Sequence, residues 1–341
     1  MTAAAGSSSS PQPGLRSWLK LVTVALMNAR LTPTTALLLT VPPLMWAGNV
    51  IVGRMVSDLV PPITLNLLRW VLAFVLLLPF GFRLLRPGSS LWPAWRRFVL
   101  LGLLGVGAYN ALQYLALQTS SPINVTLVAA SSPVWMVLIG RLFFDTPISR
   151  RQLLGAMLSM AGVLLVLGRG QLAYLLSVRL VPGDLYILLA AIAWAWYSWL
   201  LTQTGLEPAD IRGDWIAFLL AQMVFGLGWS ALFTLGEWTF TDAHIVWGWP
   251  LASALLFIAI GPAMMAYRCW GVGVQRAGPT IASFFANLTP LFTAVFSSVL
   301  LGELPQPYHG LAFVLIVGGI VISSRRRVVQ ITPNALGDKL T

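Results

Sequence analysis

The chain has 341 residues, of which 57% are hydrophobic and only 9% are charged. A soluble domain carries about 25% charged residues, so this composition excludes a soluble protein and indicates an integral membrane protein. The net charge is +11, but the positive residues lie at the ends of apolar segments, where they set topology rather than bind nucleic acid. The single cysteine, Cys269, excludes an intramolecular disulfide.

Both ends of the chain are predicted to be cytoplasmic tails. Residues 1–33 begin with a Ser- and Pro-rich stretch that is typical of disorder. They continue with a run from Trp18 to Ala29 that is too short to span, which we expect at the membrane interface. Residues 325–341 form a second, basic tail.

Between the tails, ten apolar segments approach the roughly 20 residues that a helical span needs. They lack the alternation of a β-barrel, so the sequence predicts an all-α integral membrane protein with ten transmembrane helices. The predicted spans are Thr35–Met55, Ile63–Phe82, Phe98–Gln118, Ile123–Phe144, Gln152–Leu167, Leu185–Gln203, Trp215–Leu235, Leu251–Val274, Thr280–Leu301 and Gly310–Ser323.

Residues 121–167 and 278–324 look like two copies of one segment. Each is a proline-led apolar helix with a second proline about three turns in, then a short acidic hinge and a glycine-bearing apolar helix. The copies align without a gap, which pairs Pro122 with Pro279, Pro133 with Pro290 and Gly162 with Gly319. In a hydrophobic protein such duplication indicates a transporter.

The positive charges predict the orientation. With a cytoplasmic N-terminus, all the Lys and Arg residues of loops and tails except Arg169 and Arg179 face the cytoplasm, as do both termini. Five crossings per half is an odd number, so the halves 34–170 and 171–324 must insert upside down relative to each other. Such inverted five-helix repeats support alternating access to a site at the bilayer midplane.

Several motifs resemble a known family. The opening helix pair has Trp46, Gly48, Asn49, Arg54, Pro61, Pro62 and Arg69, and the segments around Pro133 and Pro290 and the hinge Leu301–Glu303 also fit. On these residues the chain resembles the drug/metabolite transporter superfamily, and within it the EamA group of ten-helix permeases, over about residues 36–324. The first copy departs at the hinge, where Asp145 and Thr146 replace Gly302 and Glu303.

The resemblance implies transport more firmly than it implies a substrate. One branch of the family exports amino acids and related metabolites, including aromatic ones, whereas other members move sugars, purine-related compounds, nucleotide sugars or drugs. An inner-membrane permease that exports a small amphipathic metabolite is therefore expected, with a small-molecule substrate and the lipid bilayer as partners. The oligomeric state, monomer or homodimer, stays open.

The resemblance also implies a central cavity among the first, third, fourth, sixth, eighth and ninth helices. A wall of Trp and Tyr with a few amides suits an amphipathic ligand, although such residues also anchor proteins at interfaces and link helices. The candidate binding residues are Trp46, Asn49, Tyr109, Asn110, Gln113, Trp194, Trp196, Tyr197, Tyr267, Arg268, Trp270 and Asn287. Pro133 and Pro290 are candidate helix breaks or hinges.

Three arginines lie within spans or at their edges. Arg268 could pair with a substrate carboxylate or phosphate, or it could snorkel to the headgroups. Arg54 and Arg69 fall near the outer ends of their helices and close in sequence to Asp58. For these two, a structural ion pair or snorkelling is the favoured interpretation.

The positions of the acidic residues argue against proton-coupled transport. Every Asp and Glu lies in a loop, a tail or at a span edge, and the two histidines lie at loops, whereas proton-coupled carriers commonly use such groups inside the membrane. We hypothesise that the substrate moves down its own gradient or the membrane potential without a proton relay. Accumulation that collapses with an uncoupler at fixed potential would contradict this.

An enzyme acting on lipid-linked substrates is the alternative from another class. It would need a nucleophile with its base, a metal cluster or paired acids at membrane depth. The sequence has no HExxH, GxSxG or acid-rich metal motif, and no P-loop for a primary pump. We therefore expect no catalytic residues, metal or cofactor.

Overall fold

The computed structural model describes residues 31–120, 125, 128–171, 173, 181–301 and 306–324. Every regular element among them is helical. The ten longest, in chain order, are α1 Pro33–Met55, α2 Pro62–Gly81, α3 over 95–119, α4 Ser132–Phe143, α5 Arg150–Leu167, α6 Pro182–Leu200, α7 Trp215–Phe240, α8 over 249–277, α9 over 279–301 and α10 Pro307–Ser324.

The helix starts follow from local sequence. A proline occupies the first position of five helices, where its missing N–H is not needed; these prolines are Pro33, Pro62, Pro182, Pro279 and Pro307. Helix α5 instead begins with a reciprocal pair of 3.1 Å hydrogen bonds between Ser149 and Gln152. At α7, the Asp214 carboxylate accepts a 2.8 Å hydrogen bond from the Ile216 N–H.

Eight helices in the described part of the chain are long and apolar enough to cross a membrane. Ten spans were predicted, and the two that fall short have distinct reasons. Helix α4 has 12 residues, because the turn Ala130–Ser131 interrupts the predicted segment 123–144 just before it. Helix α6 has 19 residues and is not among the eight; its Trp and Tyr residues and Asp184 lower its mean hydropathy.

Two irregularities recur in both halves. Two turn residues, Ala130–Ser131 and Asn287–Leu288, interrupt the helix just before Ser132–Pro133 and Thr289–Pro290, so the predicted ninth span is two segments, Pro279–Ala286 and Thr289–Leu301. Helices α3 and α8 each contain a π-helical stretch, Gly102–Ala108 and Ala259–Met265. The spacing between these stretches equals the spacing between Pro133 and Pro290.

Helices of the two halves pack against each other. Helix α1 packs against α8 and α9 of the second half, and α6 packs against α3 and α4 of the first. Helices α5 and α10 form a close contact through small residues. A Cβ atom on Gly155 would lie 2.6 Å from the Gly319 carbonyl oxygen, and one on Gly319 would lie 2.6 Å from that of Gly155. Small residues of this kind let membrane helices approach closely.

The outer faces of the bundle are apolar. Large hydrophobic side chains such as Val75, Phe80, Leu232, Leu235 and Val314 lie exposed on helices α2, α7 and α10. A soluble protein rarely exposes so much apolar surface, whereas the hydrocarbon of a bilayer accommodates it. The interior holds the bulky buried residues, among them Trp70, Trp270, Arg69 and Tyr197.

Some predicted features lie outside the described residues. They are most of the tail 1–33, the tail 325–341, Pro122, the hinge Gly302–Glu303, Arg179 and the side chain of Arg54.

Candidate functional site

An aromatic cluster lies where the two halves meet. It consists of Trp46, Trp70, Tyr109, Trp194, Tyr197, Tyr267 and Trp270. Trp194 of α6 is its hub: its ring centroid lies 5.4 Å from those of Trp46 and Trp270 and 4.9 Å from that of Tyr109. The edge-on and tilted arrangements are those that aromatic pairs favour.

Hydrogen bonds fix the polar edges of the cluster. The Tyr197 hydroxyl donates to Gln222 Oε1 of α7 at 2.9 Å, and Trp270 Nε1 donates to the Ser198 hydroxyl at 3.1 Å. The Tyr267 hydroxyl donates to the carbonyl oxygen of Gly105. Gly105 lies in the π-helical stretch of α3, where wide turns loosen the usual backbone hydrogen bonds. The cluster is therefore built from five helices, and a sixth helix, α7, and one irregular backbone segment fix its polar edges.

Arg69 of α2 lies beside this cluster. Its side chain is buried at 2% exposure, and its guanidinium carbon lies 5.1 Å from the Trp70 ring centroid. The Trp70 ring centroid in turn lies 4.9 Å from that of Tyr267. The one salt bridge among the described residues joins Arg97 and Glu207, so Arg69 is not paired with Asp58, which is exposed. The sequence favoured an ion pair or snorkelling for Arg69, and the structure instead places it in the interior.

Several buried polar atoms near Arg69 have no hydrogen-bond partner. They include Nε of Arg69 itself, Nε1 of Trp70 and the hydroxyl of Tyr114, and farther away Oδ1 of Asn49. Burying a polar group without a partner is unfavourable by about 1–3 kcal/mol. Such atoms are uncommon in a well-packed interior. The contact between α5 and α10, by contrast, has none of these unsatisfied atoms among the described residues.

A cleft leads from one end of the bundle to the cluster. It contains about 550 Å³ of empty space, part of it open to solvent, and it lies among α6, α7, α8 and the 201–214 connection. Glu207 and Arg212 line its rim, whereas Tyr197 and Tyr267 line its inner part. These two tyrosines thus face both the cleft and the aromatic cluster.

The other candidates are distributed around this site. Arg268 is exposed, lines the cleft and lies with its guanidinium carbon 5.6 Å from the Trp215 ring centroid. Asn49, Asn110 and half-buried Gln113 lie on α1 and α3, and Nδ2 of Asn110 is buried without a hydrogen-bond partner.

Two candidates lie apart from the cluster. The Trp196 ring packs against Phe143 and Phe144, with ring centroids 4.6 and 5.9 Å away. Asn287, in the helix break of α9, donates a 2.9 Å hydrogen bond to the Ser159 hydroxyl of α5. These contacts give both side chains packing roles. Pro133 and Pro290 occupy the first turns of the helices that follow the two breaks.

Sequence reasoning missed Trp70 and Gln222 and misjudged the setting of Arg69. The resemblance assigned no cavity residue to the second or seventh helix, so these positions were not considered. The available signal was the pairing of a charge and an aromatic ring, Arg69–Trp70, inside an otherwise apolar span.

Each end of the bundle has a polar link between the halves. At the Glu237 end, the carboxylate of Glu237 accepts hydrogen bonds from the Ile63 and Thr64 N–H groups at 2.9 and 2.7 Å. At the Glu207 end, Arg97 Nη2 lies 2.7 Å from Glu207 Oε1. Burial raises the pKa of the Glu207 carboxyl above its ordinary value, and Arg97 offsets only part of that effect.

No group of three or more His, Cys, Asp or Glu residues in the described part of the chain could hold a metal ion. The buried acids have protein partners: Asp184 accepts hydrogen bonds from Ser120 and from the Val181 N–H, and Glu207 and Glu237 have the partners given above.

Comparison with known proteins gives a consistent result. The family model described as the EamA-like transporter family matches residues 33–168 and 181–325, once in each half. A solved crystal structure of another protein, 22% identical, aligns over 85% of this chain and 96% of its own, with a TM-score of 0.67. At that identity the likeness establishes a shared fold.

Three curated relatives are transporters. An uncharacterized transporter of Archaeoglobus fulgidus is 27% identical over 86% of this chain and 98% of its own length. The aromatic amino acid exporter YddG of Ancylobacter novellus is 24% identical over 68% of this chain and 76% of the exporter. The uncharacterized inner membrane transporter YedA of Escherichia coli is 23% identical over 82% of this chain and 87% of that protein.

Proposed function

The chain belongs to the EamA-like transporter family, and on that premise we propose that it is a secondary transporter that exports amino acids or related amphipathic metabolites. It is a multi-pass membrane transporter and not an enzyme. The substrate class, the export direction and the alternating-access mechanism are the proposal.

The observation that carries the proposal is the aromatic cluster at the junction of the halves. The first half contributes Trp46, Trp70 and Tyr109, and the second contributes Trp194, Tyr197, Tyr267 and Trp270. Rings supply apolar surface, while their hydroxyl and indole groups bind polar atoms. A small solute with both an apolar body and polar groups fits that chemistry better than a sugar does.

The position of the cluster supports alternating access. A site formed by both halves changes its access when the halves rock against each other. The cleft reaches Tyr197 and Tyr267 from the Glu207 end, which the predicted topology places in the cytoplasm. In that orientation the substrate would enter from the cytoplasmic side, as export requires. The name of the YddG relative, an aromatic amino acid exporter, points in the same direction.

Transport by purified protein in liposomes tests the proposal. The panel contains radiolabelled aromatic and aliphatic amino acids, nucleosides and sugars, each measured with and without an imposed potential. Trp46→Ala removes a ring that contacts Trp194 and Trp270. Trp196→Ala is the matched control, because it removes the same side chain from a position that packs on Phe143 outside the cluster.

We expect amino acid transport by the wild-type protein. Loss of one aromatic contact is worth about 0.5–1.5 kcal/mol, so Trp46→Ala should raise the apparent KM about 3- to 10-fold and Trp196→Ala should leave it unchanged. Equal effects of both variants on the apparent KM would exclude the aromatic cluster as the binding site. Transport of nucleosides or sugars in preference to amino acids would replace the proposed substrate class.

The energy source is tested in the same liposomes. We propose that no proton relay is needed, since each buried acid in the described residues lies at or near a helix end and has a protein partner. Accumulation should therefore follow the substrate gradient or the potential. An uncoupler that abolishes accumulation at fixed potential would contradict this part of the proposal.

A further inference from the structure

Arg69 is a charged group buried in the interior, and it has no acidic partner among the described residues. It is 2% exposed, and its Nε has no hydrogen-bond partner. The single salt bridge among the described residues involves other side chains. A buried, unpaired guanidinium is unfavourable for folding, because the low-dielectric interior cannot replace the lost hydration. A charged side chain kept in such a place is usually functional.

Two further buried donors on the same two helices are also unsatisfied. Nε1 of the adjacent Trp70 on α2 and the hydroxyl of Tyr114 on α3 have no hydrogen-bond partners. The Trp70 ring, which lies against the guanidinium, is in turn 4.9 Å from the Tyr267 ring centroid. Tyr267 therefore connects this group of donors to the aromatic cluster and to the cleft.

The protein offers no anion of its own at this place within the described residues. The three buried acids Asp184, Glu207 and Glu237 bind Ser120, Arg97 and Thr64, respectively. A negatively charged oxygen group from a ligand would therefore meet Arg69 without competition from these carboxylates.

We propose that Arg69 binds the carboxylate of the transported substrate, while the aromatic cluster binds its apolar body. A planar guanidinium pairs bidentately with a carboxylate. One guanidinium with neutral N–H and O–H donors suits a singly charged carboxylate better than a doubly charged phosphate. The assignment rests on the proposed function and refines it: the substrate is an aromatic or apolar carboxylic acid, amino acids included.

Three related probes separate the carboxylate from the rest of the substrate. L-phenylalanine has both charged groups, 3-phenylpropanoate has only the carboxylate, and 2-phenylethylamine has only the amine. Binding to the purified full-length protein is measured by calorimetry, and transport is measured in liposomes. The variants are Arg69→Gln, Arg69→Lys and, as a control that removes an exposed arginine outside the cleft, Arg276→Gln.

We expect the wild-type protein to bind the two carboxylates more tightly than the amine. A hydrogen-bonded charge contributes about 1.5–3 kcal/mol, so Arg69→Gln should weaken binding of both carboxylates about 10- to 100-fold. Arg69→Lys should restore part of this loss, and Arg276→Gln should leave binding unchanged. The melting temperature of Arg69→Gln without ligand should equal or exceed that of the wild type, because an unpaired buried charge has been removed.

The outcomes distinguish the inference from the proposed function. Amino acid transport that is unchanged in Arg69→Gln would overturn the inference and leave the function standing. An equal loss for 2-phenylethylamine, or a lower melting temperature without ligand, would show that Arg69 is structural and would also overturn it. Failure of the wild type to bind or transport any amino acid or carboxylate would overturn both.

Discussion

The two ends of the bundle are linked across the halves in different ways. At the Glu237 end, one carboxylate of α7 binds two main-chain N–H groups and the hydroxyl of Thr64 at the start of α2, and Trp238 Nε1 donates to the same hydroxyl at 2.8 Å. Val246 N–H also donates to the Leu59 carbonyl oxygen at 2.8 Å. At the Glu207 end, side-chain contacts at the rim of a cleft link the two halves.

The difference indicates which end is closed in this structure. One main-chain hydrogen bond, Val246 N–H to the Leu59 carbonyl oxygen, joins the connections 56–61 and 241–248 directly, and the Glu237 carboxylate fixes the adjoining start of α2. At the Glu207 end, the Arg97–Glu207 pair and a 2.6 Å hydrogen bond from Ser90 to Asp210 connect longer loops. Side-chain links of this kind can break one at a time, so we expect the Glu207 end to separate more easily.

The largest effect is expected when the buried ion pair loses one partner. Arg97→Met leaves Glu207 buried with an unpaired charge, which typically destabilises a protein by about 3–5 kcal/mol. The double variant Arg97→Met/Glu207→Leu should recover most of this loss, because no charge then remains. Melting temperatures of the single and double variants measure the difference, and a double variant as unstable as Arg97→Met would contradict it.

The stability of Arg97→Met should also depend on pH in a direction that the structure predicts. Burial raises the folded-state pKa of Glu207 above its unfolded value, so its contribution favours the folded state at low pH and is lost as pH rises through the folded pKa. Removing Arg97 takes away the interaction that lowers this pKa. Acidification should therefore stabilise Arg97→Met more than the wild type, and the added Glu207→Leu change should abolish the excess.

An intermediate effect is expected at the Glu237 end. Glu237→Ala leaves the Ile63 and Thr64 N–H groups without their acceptor, and water at the membrane surface replaces it only in part. We expect a loss of about 2 kcal/mol in the free energy of unfolding. Glu237→Gln keeps an acceptor oxygen and should lose less. If Ala and Gln have equal effects, the carboxylate is not acting as a helix cap.

The smallest effect is expected from the exposed contact at the Glu207 end. The hydrogen bond from Ser90 lowers the pKa of Asp210, but both side chains are solvated, and exposed polar pairs contribute little to stability. Asp210→Asn should leave the melting temperature within experimental error, like Ser90→Ala. A clear shift would mean that the two ends are held together more equally than the geometry indicates.

The sequence was informative about helices because the bilayer leaves few alternatives. Lipid cannot satisfy open backbone groups, so a long apolar segment must be a helix, and in the described residues eight of the ten predicted spans contain helices long and apolar enough to cross a membrane. The π-helical stretches were not predicted. An extra residue in a helical turn depends on neighbours such as Tyr267 and Asn66, which donate to the Gly105 and Val106 carbonyl oxygens.

The site was harder to predict than the fold because composition does not say which side of a helix faces inward. Trp194 and Trp196 are two positions apart on α6, and both were candidates. The first is the hub of the aromatic cluster, and the second packs against α4. Arg69 shows the same limit: its distance from the helix end suggested an outer location, whereas the packing of α2 against α7 and α8 buries it.

The paired π-helical stretches also bear on the origin of the two halves. An additional residue that occupies equivalent places in α3 and α8 is most simply inherited from one precursor, because two independent insertions would have to coincide. In that case the widened turn was already present in the precursor. The offset that aligns the two stretches pairs Arg69 with Gly226 and Gln222 with Leu65, so the two halves share the irregular backbone but not these buried polar side chains.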